Sequence, residues 1–337
     1  MKEVYLNKAW RQIQRQNFTS CHALMDFLEI EEGLRAQILK APKFPLNLPR
    51  RLAEKIEKNS LNDPIFLQFV PLDKEAKSAP SGFCLDPVQD ASFRKGKRLL
   101  QKYEGRALLL ATSACAMNCR YCFRRHFDYQ ENESFFEQEL ASLESDPTIS
   151  EIILSGGDPL SLDNRELRRL IERLSLIPHL KRLRFHTRFP IGIPERIDRD
   201  FLEILKESRL QTFFVIHCNH PKELDEEIFA ALKSIQKLGI PVLNQAVLLK
   251  GVNDDAATLK ELMQLLVDQG ILPYYLHQLD RVEGADHFEV EERRGQELMR
   301  ELASSLSGYA VPKYVREIPG MTEKTSLLRQ SFVSPVL

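Results

Sequence analysis

From Arg106 onward, short apolar, β-prone runs alternate with longer stretches in which apolar residues recur at helical spacing. The runs are Ala107–Ala111, Glu151–Leu154, Arg182–Phe185, Thr212–Ile216, Val242–Leu249 and Tyr274–Leu279. Helices are predicted between and after them at about Asn164–Leu174, Asp198–Lys206, Leu224–Leu238, Asp255–Val267 and Glu291–Leu306. Strand and helix alternating at roughly 30-residue intervals predict βα units and a parallel sheet. Six such strands suit either a doubly wound sheet or an incomplete (β/α) barrel, and periodicity does not choose between them. The strand ends do. Nearly every run finishes in small or reactive groups: Cys115, Ser155-Gly156-Gly157-Asp158, His186-Thr187-Arg188, His217-Cys218-Asn219-His220 and Gln278-Leu279-Asp280. Contributions from almost every strand favour one shared mouth over a single crevice. The expected fold class is α/β, an incomplete TIM-like (β/α)6 barrel.

Ahead of the barrel, residues 1–98 read as a mostly helical extension. Trp10, Ile13, Phe18, Leu24, Phe27 and Leu28 recur at near-helical spacing, with Ser20 as an N-cap. Pro42, Pro45 and Pro49 interrupt the pattern before a second helix at about Arg50–Lys58, and Pro64–Pro71 reads as a short apolar segment in irregular chain. Residues 99–307 form the barrel, and 308–337 a C-terminal segment with a Gly/Pro-containing loop ending near Lys324.

The composition is that of a globular protein: 337 residues, 43% hydrophobic, 28% charged, net charge −1. The balanced charge offers no bulk attraction for nucleic acid or an anionic membrane surface. No apolar run is long enough to span a bilayer, and the start, Met1–Asn7, lacks a secretory signal. A cytoplasmic protein is expected, with reduced thiols.

Three of the six cysteines stand at Cys115, Cys119 and Cys122, a C-x3-C-x2-C array. Thiols this close cannot pair with one another without strain, and an odd number leaves one over. They can converge on one metal or cluster. Three thiolates on a 4Fe–4S cubane leave one iron open to react, whereas a purely electron-carrying cluster takes four. His126 makes Cys3His zinc a geometric alternative, and three unrelated core thiols are another. The spacing is that of the radical S-adenosylmethionine enzymes, which this stretch resembles. Ser155-Gly156-Gly157-Asp158-Pro159, directly after a strand, strengthens the match. It is similar to the motif with which those enzymes hold the methionyl part of the cofactor, two glycines allowing close approach to backbone amides.

From about Leu99 to Lys324 the chain resembles the lysine 2,3-aminomutase family. The match rests on Tyr103–Arg106, Cys119–Arg125, Ser155–Pro159, His217–Pro221, Asn244-Gln245, Gly251–Asp254, Pro273–Tyr275 and Ser307–Pro312. The family fold is an incomplete six-stranded radical S-adenosylmethionine barrel. The resemblance implies a 4Fe–4S cluster on Cys115, Cys119 and Cys122, S-adenosyl-L-methionine at Ser155, Gly156, Gly157 and Asp158, and pyridoxal 5′-phosphate.

Lys324 lies at the position of the lysine that forms the Schiff base with pyridoxal phosphate. Such a lysine must exchange partners with the substrate amine, which suits a loop. Where the family has several glycines, this chain reads Gly320-Met321-Thr322-Glu323, a stiffer loop. Lys102, Tyr103, Arg106 and Gln245 match the family's phosphate-side positions, and His217 a position near the cofactor ring. Lys102 replaces a family arginine, keeping the charge but not the fork. Arg124 matches the arginine for the substrate carboxylate. Asp280 and Glu317 match two aspartates for the distal ammonium of lysine, Glu317 being one methylene longer.

The implied reaction is conversion of L-lysine to (R)-β-lysine, initiated by a 5′-deoxyadenosyl radical and drawing its electron from an external donor. The chain has no cysteine after Cys218 and ends at Leu337, whereas longer catabolic members continue into a cysteine-bearing segment. This predicts the short form that supplies β-lysine to elongation factor P through a lysyl-tRNA-synthetase-like ligase. A free-standing aminomutase of catabolism or osmolyte synthesis, for lysine or another amino acid, is the alternative; a zinc-stapled module without catalysis is a third reading.

Overall fold

The computed structural model describes residues 6–129 and 135–328. The start at Met1–Tyr5, part of the stretch expected to lack a secretory signal, and the end of the predicted 308–337 segment lie outside the described residues. Among the described residues nine strands form one sheet: β1 (Leu99–Tyr103), β2 (Arg106–Thr112), β3 (Glu151–Gly156), β4 (Arg182–Thr187), β5 (Gln211–His217), β6 (Val242–Val247), β7 (Leu272–His277), β8 (Lys313–Arg316) and β9 (Thr325–Ser326). Their order in space is their order in sequence. Strands β2 to β8 are parallel neighbours, and β1 and β9 add antiparallel edges. A doubly wound sheet reverses its strand order at a switch point. This one never does, so the open barrel is the fold, with the six predicted strands as β2 to β7. The sequence reading missed β1, β8 and β9, which are short or lie at the edges.

Local chemistry explains where the connecting helices begin. Asp163, Asp198, Asp225 and Asp255 each cap a helix that follows a strand, accepting the backbone N–H three residues on. At Asn164–Ser175 the cap is reciprocal, since Glu166 accepts the Asp163 N–H in return. Leu167, Leu170, Ile171 and Leu174 of that helix form one buried stripe. The other predicted helices appear at Arg199–Glu207, Glu226–Gln236, Ala256–Asp268 and Glu292–Ser305.

In the extension, Ser20 caps Cys21–Phe27 as expected. The second helix is shorter than predicted, Arg50–Glu54, because the N–H groups of Lys55 and Ile56 turn tightly onto Leu52 and Ala53. Pro64–Phe69, expected to be irregular, is a helix. Asp63 caps it through Ile65 and Phe66, and Pro64 stands at its first position. Its residues Ile65–Phe69 are buried on every side, so no polar face marked it. A further helix, Glu137–Ser145, also went unpredicted. Extension and barrel share one contiguous apolar core, in which Trp10 meets Phe189 edge to face at 5.4 Å.

Candidate active site

The two-residue period of the strands decides which side chains look inward. In β4, Leu183 and Phe185 are buried in the packed core, whereas Arg182, Arg184 and His186 line a cavity of about 680 Å³. In β6, Leu243, Gln245 and Val247 do the same. All sixteen residues expected to hold the cluster, a cofactor or the substrate border this one cavity: Lys102, Tyr103, Arg106, Cys115, Cys119, Cys122, Arg124, Ser155, Gly156, Gly157, Asp158, His217, Gln245, Asp280, Glu317 and Lys324.

The cysteine loop follows β2 and is held by the extension. Asn47 Nδ2 donates to Cys115 O (3.1 Å), Asn17 Nδ2 to Ala116 O (2.7 Å), Asn118 N to Asn47 O (2.9 Å) and Arg120 N to Gln68 O (2.8 Å). The buried Glu75 carboxylate takes both Arg120, at 2.9 and 2.5 Å, and Arg125, at 2.8 Å. Burial raises the Glu75 carboxyl, but the two guanidinium groups outweigh it and hold it below its usual range. The N-terminal region thus carries the loop from outside the barrel.

Burial raises the thiols of Cys115 and Cys122, the latter to about 11, and the neighbouring sulfur charges push the same way. Uncompensated, these sulfurs stay protonated; irons would supply the missing positive charge. Among the described residues, no three His, Cys, Asp or Glu side chains close tightly enough around a point to hold a single metal ion. Cys115, Cys119 and Cys122 all line the cavity, and a cluster asks only that each sulfur ligate its own iron. His126 is exposed, with Nε2 at 3.2 Å from Glu283 O, and does not border the cavity.

The glycine turn differs in detail from its expected use. Gly156 has φ +117°, and a Cβ there would lie 2.6 Å from Thr112 O. A Cβ on Gly157 would lie 2.3 Å from Ala114 O. The N–H groups of Gly157 and Asp158 donate to Thr112 O (2.7 Å) and Ala114 O (2.8 Å). These glycines therefore admit the chain that leads into Cys115, and the two amides are already used. Asp158 is equally committed, accepting from Thr187 Oγ1, Leu160 N, Arg188 N and Phe189 N. Burial lifts its carboxyl to about 6 although those bonds pull it down. It ties the ends of β3 and β4 together.

At the other side, the hairpin from β8 to β9 carries Glu317 and Lys324. Lys324 Nζ lies 2.6 Å from Glu317 Oε2, and Tyr103 OH donates to Glu317 Oε1 at 2.5 Å. Lys324 Nζ also lies 5.9 Å from the Tyr275 ring centre, and Arg106 stands over Tyr103 at 4.4 Å. Burial raises the Glu317 carboxyl, but Lys324, Tyr103 and Lys102 bring it below its ordinary value. Asp280 accepts no such hydrogen bonds from the described residues: burial lifts it to about 7, Lys324 and Lys102 oppose the rise, and Glu317 and Asp90 add to it. Gln245 Nε2 lies 3.4 Å from His186 Nδ1. His217 Nε2 lies 2.9 Å from Tyr121 OH, and burial with the Arg188 charge keeps it neutral.

Sequence reasoning missed Asp90. This buried carboxylate accepts from Arg124 Nε (2.7 Å) and Lys102 Nζ (2.8 Å), joining the cations expected to serve a carboxylate and a phosphate. Burial works against its charge, yet the two cations hold its carboxyl low. The Nε edge of Arg124 is thereby fixed, and Nη1 is 3.4 Å from Ser155 Oγ. No motif marks Asp90 in the irregular stretch before β1. Arg188 was visible only as a polar residue after β4.

Comparison with known proteins agrees with this arrangement. Residues 109–266 match the Radical SAM superfamily. The chain is 43% identical over 320 residues to L-lysine 2,3-aminomutase of Haemophilus influenzae, covering 94% of each protein. It is 44% identical to the Escherichia coli L-lysine 2,3-aminomutase, over 89% of this chain and 88% of that one. To the Clostridium subterminale enzyme of the same name the identity is 32%, over 96% and 79%. Similarity of this degree, spanning extension, cysteine loop and C-terminal hairpin alike, means that the chain belongs to the L-lysine 2,3-aminomutase family of radical S-adenosylmethionine enzymes.

Proposed function

We propose that this chain is an isomerase that moves the 2-amino group of L-lysine to C3, giving β-lysine, with a 4Fe–4S cluster, S-adenosylmethionine and pyridoxal phosphate as cofactors. One observation carries the reading: three cysteines at C-x3-C-x2-C spacing share a cavity with Lys324 and the carboxylates of Asp280 and Glu317. When bound, the cluster and S-adenosylmethionine supply a hydrogen-abstracting radical, and the pyridoxal ring supplies the π-system across which nitrogen moves. Cys115, Cys119 and Cys122 would hold the cluster.

The rest of the work belongs to side chains. Lys102 and Arg106 offer donors for a phosphate, and Tyr103 and Gln245 line the same cavity. Arg124, held by Asp90 along its Nε edge, presents its remaining N–H groups to the substrate carboxylate. Asp280 and Glu317 take the distal ammonium, which would be costly to bury unpaired. Lys324 Nζ is paired with Glu317, and a cofactor held by Lys324 would leave Glu317 to the substrate ammonium. Neutral His217 at the β5 end can accept or give one hydrogen bond without adding charge.

The reading extends to delivery of β-lysine to elongation factor P in the cytoplasm. Its support is the family resemblance of the sequence; the Haemophilus and Escherichia relatives are matched over 94% and 88% of their length. No helix among the described residues is long and apolar enough to cross a membrane. The test is anaerobic: reconstituted protein with reductant, S-adenosylmethionine, pyridoxal phosphate and L-lysine yields β-lysine, and Lys324→Ala does not. Cleavage of S-adenosylmethionine without amino migration would mean another substrate. Adding elongation factor P and its ligase, with a mass shift of the factor, tests the pathway.

A further inference from the structure

One buried cation has no part in the roles above. Arg188, just beyond β4, lies under the cysteine loop, 6% exposed. Its Nη2 donates to Glu223 Oε2 (2.6 Å) and Gln68 Oε1 (2.7 Å). Its Nη1 donates to Cys119 Sγ (2.9 Å) and to Tyr121 OH. The anchors are themselves fixed. Glu223, fully buried, accepts at Oε1 from Gln68 Nε2 (3.1 Å), Asn219 N (3.0 Å) and His220 N (3.0 Å). Gln68 Oε1 also accepts from Asn219 Nδ2 (3.0 Å). With the Nη2 edge clamped, the guanidinium cannot turn its Nη1 edge away from the sulfur without breaking two buried charge-assisted bonds. Cys119 is distinguished by this contact with a cation, whereas Cys122 has the backbone N–H of Arg124.

We propose that Arg188 sets the reduction potential of the cluster by donating a cationic N–H to the Cys119 sulfur. One-electron reduction adds one negative charge to a cluster in a desolvated site. A fixed N–H carrying positive charge stabilises the reduced form more than the oxidised form, and so raises the potential. Tyr121 extends the effect. Its hydroxyl accepts from Arg188 and from Asn219 Nδ2 (2.7 Å), which leaves its single proton for His217 Nε2 or the Cys119 sulfur. The sulfur environment is thereby linked to the ring at the β5 end. The Gln68 anchor comes from the Pro64–Phe69 helix, which gives the extension a part in the redox chemistry beyond holding the loop.

The proposal rests on the cluster but not on lysine as substrate, and its readout needs no turnover. The experiment is an anaerobic dithionite titration of reconstituted protein followed by electron paramagnetic resonance, with iron and sulfide content measured in parallel. Three proteins are compared: wild type, Arg188→Lys, and the double variant Arg188→Gln/Glu223→Gln, which removes both buried charges so that neither is stranded. The double variant should lose at least tenfold in its reduction equilibrium constant, a midpoint lower by 59 mV or more for one electron. Arg188→Lys, which keeps the charge, should fall between it and wild type. A wild-type midpoint in either variant at full iron content overturns the proposal. So does a variant that keeps the wild-type circular dichroism and melting temperature but cannot retain iron, because Arg188 would then hold the cluster rather than tune it. Should the double variant not fold, Arg188→Lys decides alone.

Discussion

Asp280 offers the sharpest test of how the site selects an ammonium. Burial lifts its carboxyl from an ordinary 3.8 to about 7. Holding it ionised in the free protein therefore costs at most about 4 kcal/mol, less whatever the open cavity relieves. At pH 6 about one molecule in ten carries the charge and at pH 8 about nine in ten. If the substrate ammonium binds only the ionised form, kcat/KM for L-lysine rises about tenfold from pH 6 to pH 8 and then levels. The groups facing Asp280 are Lys324, Glu317, Lys102 and Asp90, and in the wild type all contribute to its titration. Asp280→Asn isolates its share: the limb disappears, and kcat/KM at pH 8 falls on the order of a hundredfold. The same shift acts on stability with the opposite sign. The fold binds this proton more tightly than the unfolded chain, so stability declines as pH climbs from about 4 to about 7 and is level above. The assay is the pH profile of kcat/KM from pH 5.5 to 9 in both proteins. A limb of equal size in Asp280→Asn would refute the reasoning and assign it to another amine or carboxylate.

Three further outcomes follow from the geometry. Gly157→Ala pushes a Cβ to within 2.6 Å of both Ala114 O and Ser113 O, so the approach to Cys115 must shift; iron retained after reconstitution should drop, with about 1–3 kcal/mol lost by urea titration. Asp90→Asn strands Arg124 and Lys102 without their shared anion, costing about 3 kcal/mol in cofactor-free protein, and added phosphate should return part of it; an unchanged urea midpoint would speak against the bridge. Glu75→Gln leaves Arg120 and Arg125 unpaired, and about 3–5 kcal/mol should be lost together with cluster content. Because Glu75 titrates low when paired, the wild-type contribution is present above the ordinary carboxyl range and lost as pH falls from there through the lower folded value, whereas the Gln variant lacks that dependence.

What the sequence determined by itself was local. Short apolar, β-prone runs and amphipathic stretches specify β2 to β7 and their helices within a few residues, because pleat and helical repeat both act over short spans. The cysteine array and the Ser155–Asp158 turn stood out for the same reason, each being a run of neighbours in the chain, and both line the cavity, although the Gly157 and Asp158 amides prove to be spent on the cysteine loop. Lys324, Asp280 and Glu317 were legible only through family resemblance, since an isolated lysine or carboxylate carries no pattern. Tertiary structure decided the rest. Monotonic strand order selected the open barrel, which no periodicity could do. The buried Pro64–Phe69 helix had no polar face to announce it, and the short strands β8 and β9 exist because β7 offers an edge to extend. Asp90 matters because Lys102 and Arg124 converge on it from separate segments, and Arg188 because Glu223 and Gln68 aim it at Cys119. Such partners lie 12 to 120 residues apart in the chain, and a charge or an N–H acquires its role only from the group it meets in space.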